Sequence, residues 1–142
     1  MILEIKDKKI ISDTRMEKSR EFLADARATY DDKRYRTSVN RAYYAALNGA
    51  RSILILEGAN PETYDGAATL LSLRFVKTGV LPVDVIKKFK VLLSRRTDVD
   101  YGDFDTTGIA EAEDSLQNSE EIVQMIDSAR RRIIADFENP PL

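Results

Sequence analysis

The sequence YRTSVNRAYYAALNGARSIL, residues 35–54, is the most regularly patterned segment of the chain. Its apolar positions recur at steps of three and four residues, which is the spacing of one face of an α-helix. Gly58 follows at a position where a left-handed residue commonly ends a helix. The pattern therefore predicts a helix from about Arg34 to Glu57. Its predicted buried stripe comprises Tyr35, Val39, Ala42, Tyr43, Ala46, Ala50, Ile53 and Leu54.

Helical spacing extends to both sides of this segment. Upstream, Thr14 and Glu17 form a capping box, so a helix is predicted from about Thr14 to Tyr30. Downstream, Asp65 is a candidate N-cap for a shorter helix, and Gly79 is its predicted stop. The further predicted helices span about residues 66–78, 84–95 or 84–96, and 106 or 107 to 137.

The remaining segments connect or flank the predicted helices. Residues 97–105 contain four Asp and one Gly and are predicted to form a loop. Residues 1–11 are ambiguous, because a short strand, a frayed turn and a docking arm all fit them. Helices with short connections pack antiparallel, so we expect an all-α, up-down antiparallel bundle of four to five helices. This domain would occupy residues 12–138, between the N-terminal arm and a tail of residues 139–142.

The composition of the 142 residues excludes several kinds of chemistry. With no His and no Cys, the chain has no imidazole acid or base, no thiolate nucleophile and no His or Cys metal ligand. The formal net charge of -2 argues against a uniformly basic nucleic-acid coat but allows a local basic patch. Charges interrupt the start before a signal-peptide core can form, and no apolar run has membrane length. We therefore expect a cytoplasmic protein without membrane contact, metal or cofactor. We also expect the three consecutive arginines at residues 130–132 to form an exposed surface patch.

One flank of the helix predicted around residues 35–54 carries a row of polar side chains. Arg41, Tyr44, Asn48 and Arg51 follow one another at steps of three and four residues and so line one side. Two guanidiniums, an amide and a phenol suit a phosphate or carboxylate ligand, although a solvated face with an internal ion pair gives the same pattern. We predict that Arg41 is partly buried and pairs with a carboxylate. The candidate partners are Asp98, Asp100 and Asp103.

The same helix carries many small side chains. They permit close approach of another helix, which would come either from the same chain or from a second subunit. The small residues are Ser38, Ala42, Ala45, Ala46, Gly49 and Ala50.

A second group of candidates stands where the charge changes sign along the chain. Residues 84–96 carry five cations against one Asp, and residues 97–105 carry four Asp and no cation. Arginines at a helix C-terminus favour the helix dipole and pair with nearby Asp, which is a purely structural explanation. The functional alternative places Arg95, Arg96 and Tyr101 at a helix end, where a phosphate or a nucleotide would bind.

Three short blocks resemble, in order, those of the HEPN domain family. SVNRAYYAA at residues 38–46 is similar to the family's second-helix block, FVKTG at 75–79 to the stop of its third helix, and RTDVDYGD at 96–103 to its Arg…Asp-Tyr-Gly block. The resemblance covers the chain from about residue 16. It implies a helical bundle that forms a homodimer with one composite cleft. The residues that it would place near that cleft are Arg95, Arg96 and Tyr101.

The resemblance also implies a choice of activities. Many members of the family are toxins that cut RNA with an Arg followed a few residues later by a His, and many are encoded beside a small nucleotidyltransferase that acts as partner or antitoxin. Others bind nucleotides. In this chain the positions that would match the His hold Asp100, Tyr101 or Gly102.

Two functions from different classes stay open on these grounds, beside a helical scaffold that binds no small ligand. The first is a homodimeric binding module for a nucleotide, an RNA or a nucleotidyltransferase partner, as one component of a toxin–antitoxin-type pair. The alternative is a metal-independent endoribonuclease in which Arg96 stabilises developing charge and Tyr101, Asp98 or Asp100 replaces the missing His. Asp and Tyr normally titrate far from neutral pH, so the binding module is favoured.

Overall fold

The structure is a computed structural model that describes residues 3–102 and 107–140. Five α-helices and two short helical turns account for most of these residues. Those residues contain no strand, so the predicted all-α fold is confirmed. No helix among them is both long and apolar enough to cross a bilayer. The helices are α1 (Ile5–Asp31), α2 (Tyr35–Leu54), α3 (Tyr64–Leu71), α4 (Asp84–Tyr101) and α5 (Ile109–Glu138), with a 3-10 turn at Ile55–Glu57 and a π turn at Ser72–Val76.

Serine hydroxyls fix the register between α1 and α2. Ser12 Oγ donates to the Ser52 carbonyl at 2.6 Å, and Ser19 Oγ donates to the Ala45 carbonyl at 2.6 Å. Residue numbers rise on α1 as they fall on α2, so the two helices are antiparallel. The short side chains bring the two backbones close together, and the buried hydroxyls of Ser12 and Ser19 both have acceptors.

The small residues of α2 are covered from within the same chain. A β-carbon on Gly49 would lie 3.3 Å from Ser19 Oγ on α1 and 3.8 Å from Val123 Cγ2 on α5. Ser119 Oγ on α5 donates to the carbonyl of Ala42 at 2.8 Å. Ala42 lies about two helical turns before Gly49 on α2. These contacts also show that α2 and α5, which are not consecutive, run parallel. The helices that approach the small residues of α2 are therefore α1 and α5 of the same chain.

The hydrophobic core lies between α2 and the four surrounding helices. The predicted α2 stripe is buried except for Tyr35, which is half-buried. All five helices and the π turn contribute to the core. Its largest fully buried apolar side chains are Met16, Val39, Ile53, Leu54, Leu71, Phe75, Val85, Phe89, Leu92, Ile122 and Ile126.

Three helix starts differ from prediction, the third being that of α5, which begins at Ile109 after Gly108 and not at Thr107. Helix α1 begins at Ile5, so Thr14 lies inside it and does not cap it. Buried Ser12 and Met16 continue the inward face of α1 toward its start, and this tertiary packing outweighs the local capping signal. Helix α3 begins one residue after its cap, Thr63, whose hydroxyl accepts a hydrogen bond from Gly66 N at 2.9 Å. The predicted cap Asp65 is therefore wrong.

Helix α4 ends later than predicted, and this difference bears directly on the candidate site. The helix continues through Arg96 to Tyr101, so the first part of the predicted acidic loop is helical. An ion pair between Arg96 and Asp100, one turn apart, supports this extension. The other predicted loop residues, including Asp103 and Asp105, lie outside the described residues, as does Thr106, one candidate start of α5.

Two predicted glycine stops are confirmed. Gly58 has φ 77° after the 3-10 turn that ends α2, and Gly79 has φ 81° after the π turn. Both values lie in the left-handed region that glycine adopts without steric cost.

Candidate functional site

Three aromatic rings from three helices stack beneath the guanidinium of Arg96. The Phe89 and Tyr64 ring centroids are 3.9 Å apart, and those of Tyr64 and Tyr43 are 4.2 Å apart, with interplanar angles of 18° and 15°. Arg96 Cζ lies 4.9 Å from the Tyr43 centroid, which is within the range of a cation–π contact. The stack fixes Arg96 on a rigid base built from α2, α3 and α4.

Arg96 stays charged in this position. Its Nε lies 2.8 Å from Asp100 Oδ2, but the N–H makes no hydrogen bond of good geometry, so the contact is an ion pair. Burial by itself lowers the pKa of Arg96; the Asp100 carboxylate, followed by Tyr43 and Tyr44, outweighs burial and raises it. The side chain keeps 24% of its surface exposed, so an anionic ligand has access to it.

The tyrosines of the stack are poor bases at neutral pH. Burial raises the pKa of Tyr43, and the Arg96 charge only partly opposes that effect. Burial also raises the pKa of Tyr64 well above its ordinary value, and its hydroxyl donates to the Phe89 carbonyl at 2.8 Å. Both phenols therefore stay protonated and serve as packing and hydrogen-bonding groups.

Tyr101 is the exposed end of the site. It is the last residue of α4 and keeps 75% of its surface accessible. Asp98 is also exposed on α4. Ile109, the first residue of α5, is 55% exposed on the other side of residues 103–106. Large exposed side chains thus flank the α4–α5 connection.

Other predicted site residues are engaged elsewhere. Arg95 Nη2 lies 3.2 Å from Asp114 Oδ2, so Arg95 joins α4 to α5 rather than sharing the Arg96 site. Asn48 Nδ2 donates to the Tyr44 carbonyl at 2.9 Å, which is a local contact within α2.

Arg41 is half-buried, but its neighbour is an aromatic ring. Its Cζ lies 5.7 Å from the centroid of Phe22 on α1. Among the described residues no carboxylate pairs with Arg41, so the predicted ion pairs with Asp98 and Asp100 are wrong. The third candidate, Asp103, lies outside the described residues.

Arg51 belongs to a cluster that sequence reasoning missed. It meets Arg15 of α1 at the side-chain oxygen of Asn60, which lies in the connection after α2. These residues are far apart in sequence, and only the antiparallel register of α1 and α2 brings them together. Within the described residues no three acidic side chains converge as metal ligands would.

Comparison with known proteins agrees with the fold and with the sequence blocks. The HEPN domain profile matches residues 12–130. A protein named "Putative toxin" from Methanocaldococcus jannaschii is 29% identical over 119 residues, which cover 84% of this chain and 88% of the relative. A UPF0332 protein of Thermotoga maritima is 29% identical over 86 residues, or 61% of this chain and 65% of the relative. A UPF0332 protein of Pyrococcus horikoshii is 31% identical over 61 residues, or 43% of each chain. Because the profile spans most of its length, the chain belongs to the HEPN domain family.

Proposed function

We propose that this chain is a HEPN-family binding module that holds the phosphate of an RNA or nucleotide on Arg96 and does not cleave it efficiently. The observation that carries the proposal is the setting of Arg96: a permanent charge, immobilised on the Tyr43 ring and still accessible. A planar guanidinium donates two parallel hydrogen bonds to phosphate oxygens. Tyr101, exposed one and a half turns further along α4, offers a ring on which a base can stack.

The lack of a suitable proton donor and acceptor argues against efficient cleavage. RNA transesterification requires a group that gains and loses a proton near neutral pH, and general acid–base help is typically worth ~100- to 10,000-fold. The chain has no His, and burial moves the pKa of Tyr43 away from neutrality. Similarity to a protein named "Putative toxin" keeps the alternative, an endoribonuclease with Tyr101, Asp98 or Asp100 in place of the His, as an outcome to be tested.

A macromolecular partner is part of the proposal. Tyr101 and Ile109 expose large side chains on both sides of the α4–α5 connection, which suits coverage by another chain. We propose a homodimer through this surface, with a small nucleotidyltransferase as the second component of a toxin–antitoxin-type pair. The small-residue strip of α2 does not support the dimer, because α1 and α5 cover it.

Fluorescence anisotropy with a labelled single-stranded RNA tests the proposal. We expect wild-type protein to bind and Arg96→Gln to bind at least about tenfold more weakly, since hydrogen bonds to a charged group are worth about 1.5–3 kcal/mol. Arg132→Gln is the matched control, because Arg132 is exposed on α5 and the substitution removes the same charge. Equal binding by Arg96→Gln and wild type would show that Arg96 only stabilises the end of α4.

Sedimentation velocity tests the partner surface separately. Wild-type protein should sediment as a dimer at micromolar concentration, and Tyr101→Ser with Ile109→Ser should shift it toward the monomer. A monomeric wild type would remove the composite cleft while leaving the RNA-binding result untouched.

A further inference from the structure

Two guanidinium groups meet at the junction of α1 and the end of α2 without a carboxylate between them. Arg15 Nη2 donates to Asn60 Oδ1 at 2.9 Å, and Arg51 Nη2 donates to the same oxygen at 3.3 Å. Arg15 Nη1 also donates to the Arg51 carbonyl at 3.3 Å. In the part of the chain that the structure describes, neither guanidinium has an acidic partner.

This arrangement leaves positive charge uncompensated. Burial, followed by the charge of Arg51, lowers the pKa of Arg15. The Arg51 Nε is buried and has no hydrogen-bond acceptor. Elsewhere in the described residues, Arg95, Arg96 and Arg130 are partly or fully buried and have carboxylate partners, whereas half-buried Arg41 lies against the Phe22 ring. Arg20 and Arg27, which are largely exposed, also pair with carboxylates.

A third cation reaches the same loop. Lys8, two helical turns before Arg15 on α1, places its Nζ 4.0 Å from the position of a β-carbon on Gly58. Gly58 stands two residues before Asn60 in the connection that follows α2. Three cations from α1 and α2 therefore lie near Gly58 and Asn60. The same connection also carries Glu57, which pairs with Arg74, and exposed Glu62.

We propose that Arg15, Arg51 and Asn60 form a binding site for a phosphate group. The terminal N–H groups of the two guanidiniums supply charge-assisted donors to a tetrahedral oxyanion. The exposed Asn60 amide can rotate to present its N–H donors once the anion takes over from its oxygen. Inorganic phosphate, a nucleotide phosphate and an RNA phosphodiester all offer this chemistry.

The site is separate from the one at Arg96. Arg51 lies seven residues after Tyr44 on α2, which is about 10 Å along the helix axis. Tyr44 contributes to the charge balance at Arg96, whereas Arg51 contacts Arg15 and Asn60. Phosphate binding here therefore does not depend on whether Arg96 binds RNA.

Titration with inorganic phosphate at constant ionic strength, followed by amide NMR, tests this site. We expect the Gly58 backbone and Asn60 side-chain signals of wild type to shift, and the affinity to fall by about tenfold or more in Arg51→Gln. Arg132→Gln, with the same loss of charge elsewhere, should bind like wild type. Absence of a shift in wild type, or equal affinity in Arg51→Gln, overturns the proposal.

Asn60→Asp separates ligand binding from structural support. Its carboxylate would occupy the place of the anion between Arg15 and Arg51, so this variant should fold at least as stably as wild type and lose phosphate binding. Undiminished phosphate binding by Asn60→Asp contradicts the site. Parallel titrations with 5′-phosphorylated and 5′-hydroxyl RNA oligomers distinguish the sources: a response to the former alone assigns a terminal phosphate, and equal responses assign the phosphodiester.

Discussion

Replacing Arg130 by Met is expected to remove about 3 kcal/mol from the free energy of unfolding. Arg130 is only 6% exposed, and its guanidinium joins α1 to α5. Nη1 lies 2.6 Å from Asp13 Oδ1, and Nε and Nη2 lie 3.1 and 3.0 Å from Asp127 Oδ1. Met is similar in length and uncharged, so the change removes the charge and the hydrogen bonds with little loss of volume.

The size of this loss depends on the ion-pair partners that Asp127 retains once Arg130 is replaced. Removing one partner of a buried ion pair typically costs about 3–5 kcal/mol, because the other charge remains buried and unpaired. Asp127 is 7% exposed, but it also pairs with Arg20 and with Arg131, which lies 3.1 Å away. Both of these side chains are largely exposed and compensate its charge only partly. The expected loss is therefore at the lower end of the range, against a total of about 5–15 kcal/mol for a typical domain.

Urea unfolding at pH 7, followed by circular dichroism, measures this loss. The midpoint should fall while the m-value stays constant. Arg132→Met is the control and should change stability by no more than about 0.5 kcal/mol, since Arg132 is exposed. Asp127→Leu added to Arg130→Met should recover much of the loss, because it removes the stranded carboxylate. A loss below about 1 kcal/mol in the single variant, or no recovery in the double variant, would refute the reasoning.

Three further predictions concern helix ends and use the same unfolding assay. Thr63→Ala removes the hydroxyl that caps α3 and should cost about 1 kcal/mol, and no loss would mean that the cap is dispensable. Gly58→Ala puts a β-carbon on a residue with φ 77° and should cost about 1 kcal/mol; unchanged stability would argue against that conformation. The carboxylate of Glu111, at the start of α5, accepts hydrogen bonds from the backbone N–H groups of Glu111 and Gly108, and these lower its pKa. The contribution of Glu111 to the free energy of unfolding is therefore complete above its ordinary pKa and is lost as pH falls through the lowered value. The free energies of unfolding of wild type and Glu111→Ala should converge in acid. A difference that persists there would contradict this role.

The parts of the fold that could be predicted from sequence are those with a local cause. The α2 stripe follows from apolar residues at helical spacing, and Gly58 and Gly79 mark stops because a left-handed residue is favoured there. The HEPN resemblance was visible because its blocks are short, ordered and local. Those features need no knowledge of which helices are neighbours.

The parts that could not be predicted depend on contacts between distant segments. Helix α4 passes through an Asp-rich stretch to Tyr101, where local propensity alone indicates a loop. The sequence predicts that the run 130–132 is exposed, which holds for Arg131 and Arg132, yet Arg130 is buried among carboxylates of α1 and α5. Likewise, nothing near Arg51 in the sequence indicates Arg15, because the antiparallel register of two helices sets that pairing.

Incubation of RNA with saturating protein in the presence of EDTA, followed on a denaturing gel, tests the central claim most directly. We propose that Arg96 on its aromatic base binds the phosphate, whereas burial raises the pKa of the adjacent Tyr43 further from neutrality. We therefore predict that wild-type protein holds the RNA, as anisotropy measured on the same sample would report, and leaves it intact. Rapid metal-independent cleavage that disappears in Arg96→Gln would contradict the account and establish the endoribonuclease instead.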